Sequence, residues 1–137
     1  MPLQPRLDKD AVLLAPQAMT NSATVTANLD TLGASYATIR IALASEINTN
    51  AEGPTLSLLE SDDTVVTNFA TIVADRTDED MTDAASVSYG VDMRGRKRYL
   101  RLSVTTAGDT NDDVTVSAVS TLGRQHESGG SDVTVYV

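Results

Sequence analysis

An all-β fold, an antiparallel β-sandwich of about eight strands arranged as a jelly roll, is predicted by three features of this sequence. Apolar residues alternate with polar ones, runs of β-branched residues are broken at short intervals by turn formers, and no segment sustains a helical period. Residues 1–20 are expected to form an N-terminal arm and residues 21–137 a single sandwich domain, because 137 residues fall within the usual size of one domain.

The first six residues contain Pro2 and Pro5 and no periodicity, which suits a strap across a neighbour. Ala11-Val12-Leu13-Leu14-Ala15 fits a short edge segment that Pro16 is expected to end, since proline has no N–H to give to a ladder. Ala23-Thr24-Val25-Thr26-Ala27 is the next strand, closed by a turn at Asp30-Thr31-Leu32-Gly33. In the segment after it, Ala37, Ile39, Ile41 and Leu43 alternate with Tyr36, Thr38, Arg40 and Ala42, so one face enters a core; a helix would scatter those residues around its axis. Glu52-Gly53-Pro54 turns the chain into Thr55-Leu56-Ser57-Leu58-Leu59-Glu60, another alternating strand.

Asp62-Asp63-Thr64 interrupts the pattern before Val65-Val66, and Phe69-Ala70-Thr71-Ile72-Val73 resumes it, with Phe69 expected as a core anchor. The acidic residues 75–83 read as a long exposed loop, with a short helix capped by Thr77 as the alternative. Ser86-Val87-Ser88-Tyr89-Gly90-Val91-Asp92 is a strand, and Met93-Arg94-Gly95 a hinge out of it. The strongest strand is expected to begin at Arg96, with Arg98, Leu100, Leu102 and Val104 on one face and Lys97, Tyr99, Arg101 and Ser103 on the other. It is expected to form a hairpin with the strand in which Val114, Val116 and Ala118 point inward. Val133-Thr134-Val135-Tyr136-Val137 closes the chain as a strand.

Composition narrows function. There are 19 acidic residues against 10 Lys plus Arg, a net charge of -9, which opposes direct nucleic-acid binding. The absence of cysteine excludes disulfides, thiolate nucleophiles and Cys-containing zinc sites. Aromatic residues make up only 4% of the chain, so the core is built mainly from Val, Leu, Ile, Ala and Met and is thin, and partner surfaces are a natural source of further burial. No run approaches the ~20 apolar residues of a membrane span. Asp8-Lys9-Asp10 precedes only a short apolar run, so neither a signal peptide nor a membrane anchor is expected, and the protein is expected to be soluble and retained in the cell that makes it.

Catalytic chemistry finds little material. The single histidine, His126, lies in a polar glycine-containing segment beside Ser128 and Ser131 without a nucleophile-turn pattern, so an enzyme is not expected. Asp109, Asn111, Asp112 and Asp113, and likewise Asp78, Glu79 and Asp80, are oxygen-rich, yet they lack the alternating ligands, central glycine and distal glutamate of a calcium loop. Solvated turns explain them, and no cofactor or metal is expected.

The electrostatic feature that stands out is basic. Arg94, Arg96, Lys97, Arg98 and Arg101 place five of the 10 basic residues within eight positions. Two readings follow: these side chains balance neighbouring acidic loops, or they meet an acidic patch on a partner. Tyr36, Tyr99 and Tyr136 fall opposite the apolar face of their strands and, if gathered by folding, make an amphipathic docking surface. These eight residues are the candidate protein interface.

Tyr36-Ala37-Thr38-Ile39-Arg40-Ile41, Thr55-Leu56-Ser57-Leu58-Leu59-Glu60-Ser61-Asp62-Asp63 and Arg96-Lys97-Arg98-Tyr99-Leu100-Arg101-Leu102 together resemble small structural proteins of tailed bacteriophages, the capsid decoration or cement proteins with a jelly-roll domain. The resemblance runs from about residue 21 to 121. It implies a protein of the virion surface, made in the host cytoplasm, often trimeric, that sits where capsomers meet on the major capsid protein and reinforces the shell after expansion. Residues 2–16 then take the role of an arm reaching over the capsid protein or a neighbouring subunit. The family has no catalytic residues to carry over. This chain departs from the smallest decoration proteins in length and strand content, which leaves open other minor virion parts such as a head-fibre base, neck or tail protein.

Overall fold

The computed structural model describes residues 9–19, 23–46, 54–77, 85–106, 113–123 and 133–136. Strands β1 (Lys9–Met19), β2 (Thr24–Asp30), β3 (Tyr36–Glu46), β4 (Thr55–Ser61), β5 (Ala70–Thr77), β6 (Ala85–Asp92), β7 (Tyr99–Thr105), β8 (Asp113–Gly123) and β9 (Val133–Tyr136) are interrupted by one short 3₁₀ turn, Val66–Asn68. They form two antiparallel sheets, β1-β8-β3-β6-β9 and β2-β7-β4-β5.

The pairing has a simple rule. β1 pairs with β8, β2 with β7, β3 with β6 and β4 with β5, so the first eight strands behave as one long hairpin that has been rolled over on itself. The further pairs β3–β8 and β4–β7 complete the two four-stranded layers of a jelly roll. β9 adds to the free side of β6, with Val133 opposite Val91 and Tyr136 opposite Ser88.

The core lies between the layers and follows the alternation. Ala37, Ile39, Ile41 and Leu43 of β3 and Val114, Val116 and Ala118 of β8 are buried from one sheet, and Leu56, Leu58, Leu100, Leu102 and Val104 from the other. Among the described residues Tyr89 is the largest fully buried side chain, with Val87 and Val91 also buried on the same face of β6.

Several sequence expectations are corrected. Pro16 does not end the first strand: β1 continues to Met19, and Leu14 and Met19 enter the core from a segment expected as an arm. From Leu14 to Gln17 the strand advances three positions against two on β8, a bulge that contains Pro16. As β1 is an edge strand, the missing N–H costs no ladder bond on a second side. β7 begins at Tyr99, because Arg96, Lys97 and Arg98 belong to the turn before it, and Arg98 is exposed instead of sharing the inner face of Leu100. No β7–β8 hairpin forms: the two strands lie in different sheets, and among consecutive strands only β4 and β5 pair. Phe69 is not a core anchor but caps the 3₁₀ turn and lies against Arg101.

Candidate functional site

At one end of the sandwich the β2–β3 and β6–β7 crossovers run side by side, because Asp30 pairs with Tyr99 and Tyr36 with Asp92. Each crossover holds a four-residue turn with glycine in third place. The Ala34 N–H donates to the Thr31 carbonyl at 2.9 Å, and the Arg96 N–H to the Met93 carbonyl at 3.1 Å. Gly33 and Gly95 have φ of 80° and 77°, a region that side chains make costly. Bonds between the crossovers fix their spacing: the Thr31 N–H donates to the Arg98 carbonyl at 3.0 Å, and the Met93 N–H to the Ser35 carbonyl at 3.0 Å.

This corner receives most of the basic cluster and supplies it with acids. Arg98 forms a two-pronged pair with Asp30, Nε to Oδ1 at 2.9 Å and Nη2 to Oδ2 at 2.7 Å. Arg94 grips Asp92 in the same way, at 2.9 and 2.6 Å, and its backbone N–H also donates to Oδ1 at 3.0 Å. The guanidinium of Arg96 lies 3.5 Å from Glu60, whose other oxygen accepts the backbone N–H of Lys97 at 3.2 Å. Folding thus places an acid beside each of these three arginines, the balancing arrangement among the two readings of the cluster.

The carboxyl groups respond accordingly. The Asp92 carboxyl is held at about 2, first by the side-chain hydrogen bonds from Arg94 and then by the Arg94 N–H. Asp30 is lowered chiefly by the bonds from Arg98. Asp63 is lowered by the Asn68 amide at 2.9 Å and by the Val65 N–H at 2.9 Å, which tie the β4–β5 connection into a closed turn.

Arg101 stands apart on the outer face of the β2-β7-β4-β5 sheet, opposite Asn28 on one side and Leu59 on the other. Its Nε donates to Asn28 Oδ1 at 2.7 Å, and its guanidinium carbon lies 4.0 Å from the centre of the Phe69 ring. The tyrosines do not gather on one sheet. Tyr99 is on β7 with the Arg98 guanidinium 4.9 Å from its ring centre, Tyr36 is on β3 of the other sheet, and Tyr136 is at that sheet's far edge on β9. His126, Asp78, Glu79, Asp80, Asp109, Asn111 and Asp112 lie outside the described residues. Among the described residues no group of three or more His, Asp or Glu side chains is placed to hold a metal.

Comparison with known proteins places the fold. No family model and no curated protein matches the sequence. Among solved structures, the chain is similar to one in a structure of infectious bursal disease virus, Gx strain, with a TM-score of 0.50 over 96% of its length and 10% identity. The same fold occurs in a virus. The likeness is one of fold, and this chain spans 36% of the length of the virus chain it matches.

Two side-chain relationships escaped the sequence. The stacking of Phe69 on Arg101 joins residues 32 positions apart, one in the β4–β5 connection and one within β7, with no local pattern to signal it. The ring of Tyr36 covers Gly123, its partner across β3 and β8, and the pairing of an aromatic residue with a glycine was readable only once the register was known.

Proposed function

We propose that this chain is a structural virion protein, and specifically a decoration or cement protein that binds the outer surface of a bacteriophage capsid and stabilises the shell. The observation that carries the reading is the jelly roll itself, which nearly the whole chain shares with a chain of a virus structure. The resemblance of three of its segments to phage decoration proteins supports the finer assignment. The arrangement of the described side chains supports a binding role over a chemical one: acids and bases are spent on each other at the corner, and the candidate contacts are arginines and exposed apolar residues.

The partner in this reading is the major capsid protein, and a homotrimer is the working unit. Arg94, Arg96, Lys97, Arg98 and Arg101 with Tyr36, Tyr99 and Tyr136 are the residues proposed to contribute the interface. A ligand that binds only the folded form stabilises it by mass action, and the same coupling transmits stability to the shell. The test is sedimentation of the purified protein with expanded capsids that lack it, followed by heating of the complexes. Saturable co-sedimentation with a raised temperature of shell rupture is expected; a protein that stays in the supernatant over whole shells belongs elsewhere in the virion.

A further inference from the structure

Of the four arginines between positions 94 and 101, three are neutralised by acids of the same chain: Arg94 by Asp92, Arg96 by Glu60 and Arg98 by Asp30. Arg101 is different. It is only 8% exposed, yet among the described residues no carboxylate lies within ion-pair distance of it. A largely covered cation without an anion loses part of its hydration, and a neutral amide and an aromatic face offset only part of that loss.

Its orientation is nonetheless fixed. The Asn28 oxygen takes the Nε–H, and the Phe69 ring covers the guanidinium plane. Once Nε is occupied, the donors that remain are those on Nη1 and Nη2, which form the end-on fork that donates to both oxygens of one carboxylate. The connection that carries Phe69 also presents Val65 and Val66, 52% and 68% exposed, as apolar neighbours in sequence. Arginine is among the residues enriched at interface hot spots, and exposed aliphatic side chains beside one help to exclude water around the contact.

We propose that Arg101 is the receptor for a single Asp or Glu side chain of a partner protein that docks on the outer face of the β2-β7-β4-β5 sheet, with Phe69, Val65 and Val66 as its apolar rim. Charge favours this occupant over a polyanion. A single arginine flanked by a neutral amide and an aromatic ring, on a chain of net charge -9, suits one carboxylate, whereas a nucleic acid needs several phosphates neutralised together. The identity of the partner rests on the shell-binding reading; the carboxylate chemistry does not.

The experiment has two arms. In the first, wild-type protein, Arg101→Lys and Arg101→Met are sedimented with expanded capsids. Arg101→Met is expected to bind at least about tenfold more weakly and Arg101→Lys to fall between, since lysine keeps the charge and loses the fork. Equal binding by wild type and Arg101→Met overturns the proposal; failure of the wild type to bind overturns the shell reading alone. In the second arm, the arginine Nε–H resonances of the free wild-type protein are followed during titration with acetate and, separately, inorganic phosphate at constant ionic strength. A saturable shift of Arg101 with acetate, absent from Arg94 and Arg98, supports the proposal even if Arg101→Met does not fold. No selective shift, or a stronger response to phosphate than to acetate, overturns it.

Discussion

The ring of Tyr36 lies across Gly123 of the neighbouring strand, with its outer atoms 2.2 to 2.3 Å from where a β-carbon on residue 123 would sit. A ring occupies the space of a missing side chain, so the glycine and the aromatic form one packing unit at the point where β3, β8 and the crossover meet.

Gly123→Ala therefore displaces the ring. The ring can swing outward, so the expected loss of stability is modest, about 1 kcal/mol, at the low end for an overpacked site. In a Tyr36→Ala background the same substitution is expected to cost little. Denaturant unfolding of the four proteins of this double-mutant cycle measures the coupling.

Gly95→Ala meets a different obstacle. Its φ of 77° is the constraint, and forcing a side chain into that conformation is expected to cost about 1–2 kcal/mol. Thermal unfolding should show a lowered midpoint with the fold retained, and Gly33→Ala, at φ 80°, should behave alike.

Acid should loosen the corner in a defined window. Asp92 and Asp30 titrate lower in the folded chain than the ordinary 3.8, so the unfolded chain binds protons first as pH falls. The stabilisation by these pairs is complete above about pH 4 and lost towards about pH 2, where Asp92 itself protonates. Urea midpoints measured across that window should fall with pH, and Asp92→Asn should show a shallower fall.

Inside and outside of the sandwich should separate cleanly on truncation. Leu102→Ala, in the core, is expected to cost about 2–5 kcal/mol. Val12→Ala, at a position 67% exposed, is expected to change stability by less than about 0.5 kcal/mol. Chemical denaturation of both variants checks the assignment of faces.

What the sequence disclosed was local. The alternation in β3 from Ala37 to Leu43 and in β8 from Val114 to Ala118 placed those side chains correctly, because period two is set by the backbone of a single strand. What it concealed was non-local. β7 and β8 read as a hairpin because they are consecutive and both alternate, whereas their partners, β2 and β4 for one and β1 and β3 for the other, are chosen by the rolling of the whole chain. The alternation of Val87, Tyr89 and Val91 carries the signal for a buried aromatic, whereas Phe69 draws the expectation as the single phenylalanine of a thin, aromatic-poor core. Proximity in sequence groups Arg101 with its basic neighbours, whereas its place within β7 beside Asn28 and Phe69, and the pairing of the other three arginines with acids, set it apart.

Electron cryomicroscopy of expanded phage shells, prepared without the protein and then incubated with it, tests the functional account most directly. Added density of jelly-roll shape is expected on the outside of the shell, seated on the major capsid protein. Shells that stay bare on their outer surface, or density confined to the neck or tail, would contradict it.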